Sequence, residues 1–255
     1  MTSPCLGLVP LKVTDKYLMA NNYFEFKQFT VHQEHAPFKI TTDSVMLGAW
    51  GQLKDAKNVL DIGTGTGILA LMAAQRSVAQ IVAVEPDPGS YMQAGLNISG
   101  SPWHNRIMLI NTRVQDYFPA AGLLFDTVIT NPPFFVDSLP NPDPGKAMAR
   151  HSFSLSHLEL LEAALRLMTP SGTLQLVLPV SEAKLFIEMA ASLGLYFQRK
   201  LIVKPTPAIP PSRVLMTLGR SQGSVEESTI IIEQEGRHHY SDEYVSLTKD
   251  FYLKF

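Results

Sequence analysis

The sequence predicts an α/β fold, a doubly wound and mostly parallel sheet. Three observations carry that expectation: short β-branched runs alternate with longer helical patterns from Asn58 onward, a glycine-rich turn follows the first apolar run, and a carboxylate ends the second.

In chain order, strands are expected at 58–62, 80–85, 106–111, 125–130 and 172–178, and helices at 67–76, 87–99, 156–168 and 181–194. Asp87 is placed to cap the second helix, with Pro88 in the first turn where its missing N–H costs nothing. Ser156 reads as the cap of the third, with His157 on its surface. Pro140, Pro142 and Pro144 mark a long loop after the fourth strand. Pro205, Pro207, Pro210 and Pro211 mark an irregular segment before the apolar run Val214 to Leu218, which reads as a return strand.

One domain over residues 23–255 is expected, after a flexible leader at 1–22 whose Pro4, Pro10, Lys12, Asp15 and Lys16 break the apolar core of a secretory signal. With 45% hydrophobic and 17% charged residues, the chain has the composition of a globule with a sizeable core. Cys5, the only cysteine, excludes an intrachain disulfide and a cysteine-built zinc site, and fits a cytoplasmic location. No apolar stretch approaches the roughly 20 residues of a membrane-spanning helix. A net charge of −2 supplies no global attraction to nucleic acid, so such a partner needs a local patch.

The first candidate site is Asp61-Ile62-Gly63-Thr64-Gly65-Thr66-Gly67, at the carboxyl end of the first strand, where open α/β sheets bind cofactors. Its glycines let the backbone approach a ligand. The third falls one position early for the dinucleotide fingerprint, which argues against a nicotinamide cofactor. Glu85, 20 residues after Gly65, is placed to accept hydrogen bonds from the two hydroxyls of a ribose. Asp61 either orients the turn or meets a cationic group on the cofactor.

The second candidate is Asn131-Pro132-Pro133-Phe134, directly after the fourth strand. An exocyclic amine on adenine is a poor nucleophile because its lone pair is delocalised into the ring. If the Asn131 side-chain oxygen and the Pro132 carbonyl each accept one amino hydrogen, the lone pair is localised toward a donor while Phe134 stacks on the ring. The prolines restrict φ and hold those acceptors, so preorganisation stands in for a general base. His32-Gln33-Glu34-His35 and His238-His239 lack the spacing that places two imidazoles on one helical face, and no metal is expected. No nucleophile elbow is present.

Together the Asp61 turn, Glu85 and the Asn131 motif resemble class I S-adenosylmethionine-dependent methyltransferases acting on planar amino groups, which implies a Rossmann-like sheet. Phe26-Lys27-Gln28-Phe29, Thr42-Asp43, Leu47-Gly48-Ala49-Trp50, Ser101-Pro102-Trp103, Tyr240-Ser241 and Phe251-Tyr252-Leu253 extend the likeness to the bacterial tRNA1(Val) adenine N6-methyltransferases, from about Tyr23 to Phe255. That resemblance implies S-adenosylmethionine as cofactor and methylation of the adenosine beside the anticodon, nucleotide 37, of a valine tRNA. It implies that Thr42 and Asp43 help close the cofactor pocket, with Phe26 to Phe29 on the same side.

Four positions depart from the family pattern. Thr41 and Ser44 replace common glycines, Phe134 replaces a tyrosine, and Arg113 stands where an acid often approaches the cofactor adenine, leaving Asp116 or backbone groups for that contact. Lys27, Lys146, Arg150, His151 and Arg213 are candidates for a phosphate-binding rim around Pro133. Alternative readings are methylation of a protein glutamine, of rRNA guanine N2 or of DNA adenine N6, or a non-catalytic S-adenosylmethionine- or RNA-binding module.

Overall fold

The computed structural model describes residues 22–120, 122–133 and 155–255. An antiparallel hairpin, β1 (Tyr23–Glu25) and β2 (Thr30–His32), leads into helix α1 (Thr42–Trp50). An alternating series follows: β3 (Asn58–Ile62), α2 (Ile68–Arg76), β4 (Gln80–Val84), α3 (Pro88–Ser99), β5 (Ile107–Ile110) and β6 (Phe125–Thr130). After the residues that are not described come α4 (His157–Leu167), β7 (Met168–Pro179), α5 (Val180–Ser192), β8 (Tyr196–Lys204), β9 (Arg213–Gly219), β10 (Glu226–Ile231) and α6 (Asp242–Thr248).

Among the described residues, eight strands form one sheet in the order β10-β8-β9-β7-β6-β3-β4-β5. From β7 to β5 every pairing is parallel, and β9 runs antiparallel to both its neighbours. The expected doubly wound, mostly parallel sheet is therefore the observed one, and the run after the proline-rich segment is its return strand. Successive residues of β3 enter different cores: Val59 joins the cluster with α1 and α2, while Leu60 joins the one with α4 and α5. Burial on both faces is why these strands read as continuous apolar runs.

Four elements of the sheet and its cover depart from the expectation. The fifth strand extends from Met168 to Pro179, and β8 and β10 were not expected at all. Their charges pair across the sheet edge, Arg199 with Glu226 at 3.1 Å and Lys200 with Glu227 at 2.5 Å, so neither strand has the apolar signature of the centre. Helix α1 was missed for the opposite reason: Ser44 through Trp50 are all buried, and a helix enclosed on every side lacks an amphipathic stripe.

That helix is firmly seated. A Cβ on Gly48 would lie 2.5 Å from the Met72 sulfur, so glycine permits the close approach of α1 to α2. The half-buried Arg76 guanidinium donates to the carbonyls of Gly48 and Gly51, both at 2.7 Å, at the carboxyl end of α1. The Phe26–Phe29 stack, at 4.7 Å, packs edge-on to Trp103 and alongside Tyr252. These contacts give the aromatic motifs near the two ends of the domain a structural role. Residues 1–21, which include nearly all of the expected leader, lie outside the described residues.

Candidate active site

Sheet order places the two candidate motifs side by side. β3 pairs with β4 on one side and β6 on the other, with Asp61 opposite both Ala83 and Ile129. The chain thus leaves β3 toward one edge and later resumes on its other flank, and the carboxyl ends of β3 and β6 open onto the switch point where such sheets bind ligands. A cavity of about 290 Å³ lies there, lined by Gly63 and Gly65 of the turn, by Glu85, and by Asn131, Pro132 and Pro133.

The turn is built from backbone hydrogen bonds. The N–H groups of Gly63 and Thr64 donate to the Val84 carbonyl, at 2.9 and 3.2 Å, and Gly67 N–H donates to the Thr64 carbonyl at 2.9 Å. Gly63 and Gly65 have φ of 66° and 58°, and among the described residues nothing lies within 4 Å of where a Cβ would sit on either. A side chain at either position would be strained and would protrude into unfilled volume, so the glycines leave a cradle for a ligand.

Asp61 lies beneath this turn, fully buried and outside the cavity lining. Its Oδ2 accepts from the Thr64 hydroxyl at 2.5 Å and from Ala70 N–H at 3.1 Å, which ties β3 to the first turn of α2, while Oδ1 has no hydrogen-bond partner among the described residues. Burial pushes its pKa up to about 7 against the opposing hydrogen bonds from Thr64 and Ala70, with a smaller push from the Glu85 charge. Of the two sequence readings, turn orientation is the one its contacts support.

Glu85 does face the cavity. Its Oε2 accepts from Gly65 N–H at 2.8 Å and its Oε1 from Asp87 N–H at 3.0 Å. Burial raises its pKa, and those two backbone donors oppose the rise. A carboxylate has about four acceptor positions, so each oxygen keeps capacity for a hydroxyl donor.

Asn131 stands at the end of β6, and its Nδ2 donates to Ser44 Oγ at 2.8 Å. Thr130 Oγ1, just before it, donates to the Ile62 carbonyl at 2.8 Å, joining the two strand ends directly. Ser44 and Thr41, which caps α1, both line the cavity.

The intervening segment from Pro37 to Thr41 also lines it, with Phe38 46% exposed. That segment is pinned near α3, where His35 N–H donates to Gln93 Oε1 at 3.0 Å, and by Ile40 N–H to Gln33 Oε1 at 2.9 Å. Buried Asn97 bonds both the N–H and the carbonyl of His32 and also the Thr66 carbonyl, coupling the hairpin to the glycine turn. Apart from the Gln33–Ile40 bond, these polar tethers join residues far apart in the chain and so had no sequence signal.

Several expected site residues have other partners. Thr42 and Asp43 are outside the lining, and Asp43 pairs with Arg213 at 2.7 Å, so this arginine's charge is engaged with α1. Lys27 donates to the backbone oxygens of Lys249 and Phe255, at 2.6 and 2.8 Å, fastening the end of the chain. Gly67 serves as the left-handed cap of α2. Arg113 and Gln115 line the cavity, whereas Asp116 is half-exposed and pairs with Arg113 at 2.7 Å. The expectation of a surface His157 is corrected: its ring packs edge-on to Phe186 and lies 3.4 Å from Glu182, with only 11% of its side chain exposed. Ser156 does cap α4, in a reciprocal pair with Glu159. Phe134, Lys146, Arg150 and His151 lie outside the described residues.

A family model described as the methyltransferase small domain matches residues 44–189, spanning both motifs. The chain is 40% identical to a tRNA1(Val) (adenine(37)-N6)-methyltransferase of Parabacteroides distasonis, over 92% of this chain and 100% of the relative. The chain belongs to this methyltransferase family. A Trichodesmium erythraeum relative of the same name is 42% identical over 93% of this chain and 100% of its own length. Among solved structures, a predicted O-methyltransferase from Agrobacterium tumefaciens superposes with a TM-score of 0.63 at 19% identity, covering 82% of this chain and 96% of that one, and so shares the fold.

The methyl donor of this methyltransferase is S-adenosylmethionine. The open glycine cradle and the spare acceptor capacity of Glu85 fit a ribose-bearing ligand. Among the described residues, no three His, Cys, Asp or Glu side chains gather as a metal site, and no helix is long and apolar enough to cross a membrane.

Proposed function

We propose that this enzyme methylates N6 of the adenosine beside the anticodon, nucleotide 37, of a valine tRNA in the cytoplasm. The observation that carries the reading is the sharing of one cavity by the glycine turn, Glu85 and the Asn131-Pro132-Pro133 motif. The names of relatives 40–42% identical over almost their whole length support the choice of substrate.

S-adenosylmethionine supplies an electrophilic methyl group on a sulfonium. Glu85 accepts hydrogen bonds from the ribose hydroxyls, and Gly63 and Gly65 admit the ligand against the backbone. Asn131 Oδ1 and the Pro132 carbonyl each accept one hydrogen of the adenine amine, which turns the nitrogen lone pair out of conjugation and toward the methyl group. As the N–C bond forms, the S–CH3 bond would break and S-adenosylhomocysteine would leave as a neutral thioether. One N–H proton of the methylated amine would be lost to solvent, so no residue of high basicity is required. An adenosine in a single-stranded loop is cheaper to extrude into the cavity than a paired one. Lys146, Arg150 and Arg213 contribute to positioning the tRNA backbone, Arg213 in exchange for its contact with Asp43.

Incubation with labelled S-adenosylmethionine and, in parallel, valine tRNA transcripts, rRNA, DNA and cellular protein, followed by mass spectrometry of nucleosides and peptides, tests this. The expected product is N6-methyladenosine at position 37. Label confined to a protein glutamine, to rRNA guanine or to DNA overturns the substrate and leaves the methyltransferase.

A further inference from the structure

A primary amide can turn either its oxygen or its nitrogen toward a substrate. The two choices have opposite consequences at Asn131: the oxygen accepts an amino hydrogen, whereas the NH2 group would meet the amine donor to donor. Proline neighbours restrain the backbone but do not choose between these orientations. The choice is made by what the other end of the amide touches, which here is the hydroxyl of Ser44, 2.8 Å from Nδ2 and 87 residues earlier in the chain.

Hydroxyl groups accept or donate, so Ser44 must itself be polarised to select one amide orientation. Its surroundings supply that bias. Thr41 Oγ1 accepts the Ser44 backbone N–H at 3.3 Å and lies 3.4 Å from Ser44 Oγ. When Ser44 directs its proton to Thr41, its lone pairs face Asn131 and accept from Nδ2, leaving Asn131 Oδ1 for the cavity. Ser44 is only 7% exposed, so water competes little for this hydroxyl. The platform is firm, because α1 is held by Arg76 at one end and by the Asp43–Arg213 pair at the other.

We propose that Ser44 is a positioning residue for methyl transfer, fixing the Asn131 amide with its oxygen toward the target amine, and that Thr41 sets the direction of the Ser44 hydroxyl. This rests on the role given to Asn131 under the proposed function. It assigns to the first turn of α1 a part in the chemical step.

The test uses the full chain with saturating S-adenosylmethionine and valine tRNA, measuring single-turnover methylation alongside calorimetry of S-adenosylhomocysteine binding. Ser44→Ala is expected to lower the rate constant about tenfold, as for loss of one orienting hydrogen bond, with cofactor affinity within about twofold of the original. Ser44→Gly, which also lacks the hydroxyl, must lose a similar factor, so a folding defect peculiar to one variant does not decide the outcome. The sharper readout is coupling: Ser44→Ala added to Asn131→Ala should cost nothing further, because the amide it orients is gone.

An unchanged rate in both single variants, or a full additional loss in the double variant, overturns the role of Ser44. A near-normal rate in Asn131→Ala alone overturns the earlier reading of Asn131, and Ser44 with it. A Ser44 failure on its own leaves that reading standing.

Discussion

The two strand ends that meet at the cavity are organised differently. At the end of β3 the glycine turn is held mainly by backbone groups, with Asp61 buried beneath it and Glu85 clamped by two N–H donors. At the end of β6, Asn131 relies on restricted proline backbone and on one side-chain bond to a separate helix. A binding surface made of backbone tolerates little change in conformation but much change in neighbouring side chains. A reacting group oriented by a side chain can be disabled without disturbing binding, so substitutions at the two ends should separate cofactor affinity from turnover.

The largest expected effect comes from the charge buried under the turn. The folded-state pKa of Asp61 lies above its ordinary value, so the stability it contributes is fully present below about pH 3.8 and is lost as pH rises through about 7. Each pKa unit corresponds to roughly 1.4 kcal/mol, which makes the change across this window on the order of 4 kcal/mol. Glu85, also raised by burial, acts in the same direction. Chemical denaturation of the cofactor-free protein from pH 4 to 8 should show a stability difference between the parent and Asp61→Asn that declines with pH. A flat difference would mean that Asp61 titrates alike in both states.

At the other strand end, Asn131→Ala should reduce turnover on the order of a hundredfold, the usual scale for a lost preorganised electrostatic contact. S-adenosylhomocysteine affinity should stay within about twofold of the parent. Equal losses in both would erase the distinction between the two ends.

Glu85→Ala sharpens the contrast from the binding side. Loss of charge-assisted hydrogen bonds to the cofactor should weaken S-adenosylhomocysteine binding by about 1.5–3 kcal/mol, measured by calorimetry. At saturating cofactor the rate of the chemical step should recover most of its original value. Unchanged affinity in a folded variant removes Glu85 from the site.

The smallest effect is expected at the Asp43–Arg213 pair, which links α1 to the start of β9. Its side chains are 18% and 30% exposed, so solvent screens the attraction and the coupling should be no more than about 1 kcal/mol. A double-mutant cycle with Asp43→Asn and Arg213→Gln, read by denaturation, measures it. If Arg213 also serves the tRNA, its substitution alone should lower the salt dependence of tRNA binding by up to about 0.7 in logarithmic slope.

Much of the fold was legible because its signals are local. The apolar runs at 58–62 and 125–130, the glycines at 63, 65 and 67, and the Asp87 cap all act within a few residues of themselves. Both motifs of the candidate site were legible for the same reason. Helix α1 was not, since burial of every residue from Ser44 to Trp50 removes the polar face by which a helix announces itself. Arg213 could be read as a cation, but not as a partner of Asp43, 170 residues away.

The sequence by itself determined which backbones can bend sharply, which runs must be buried on both faces, and which side chains can accept a proton-bearing amine. Those properties reside in φ restrictions, apolar patterning and functional groups, and none depends on distant residues. Only the tertiary structure decided that Asp61 lies under the turn while Glu85 faces the cavity, and that Ser44 meets the Asn131 amide. Burial and hydrogen-bond pairing are properties of surroundings, and strand order sets those surroundings by bringing the end of β6 beside the end of β3.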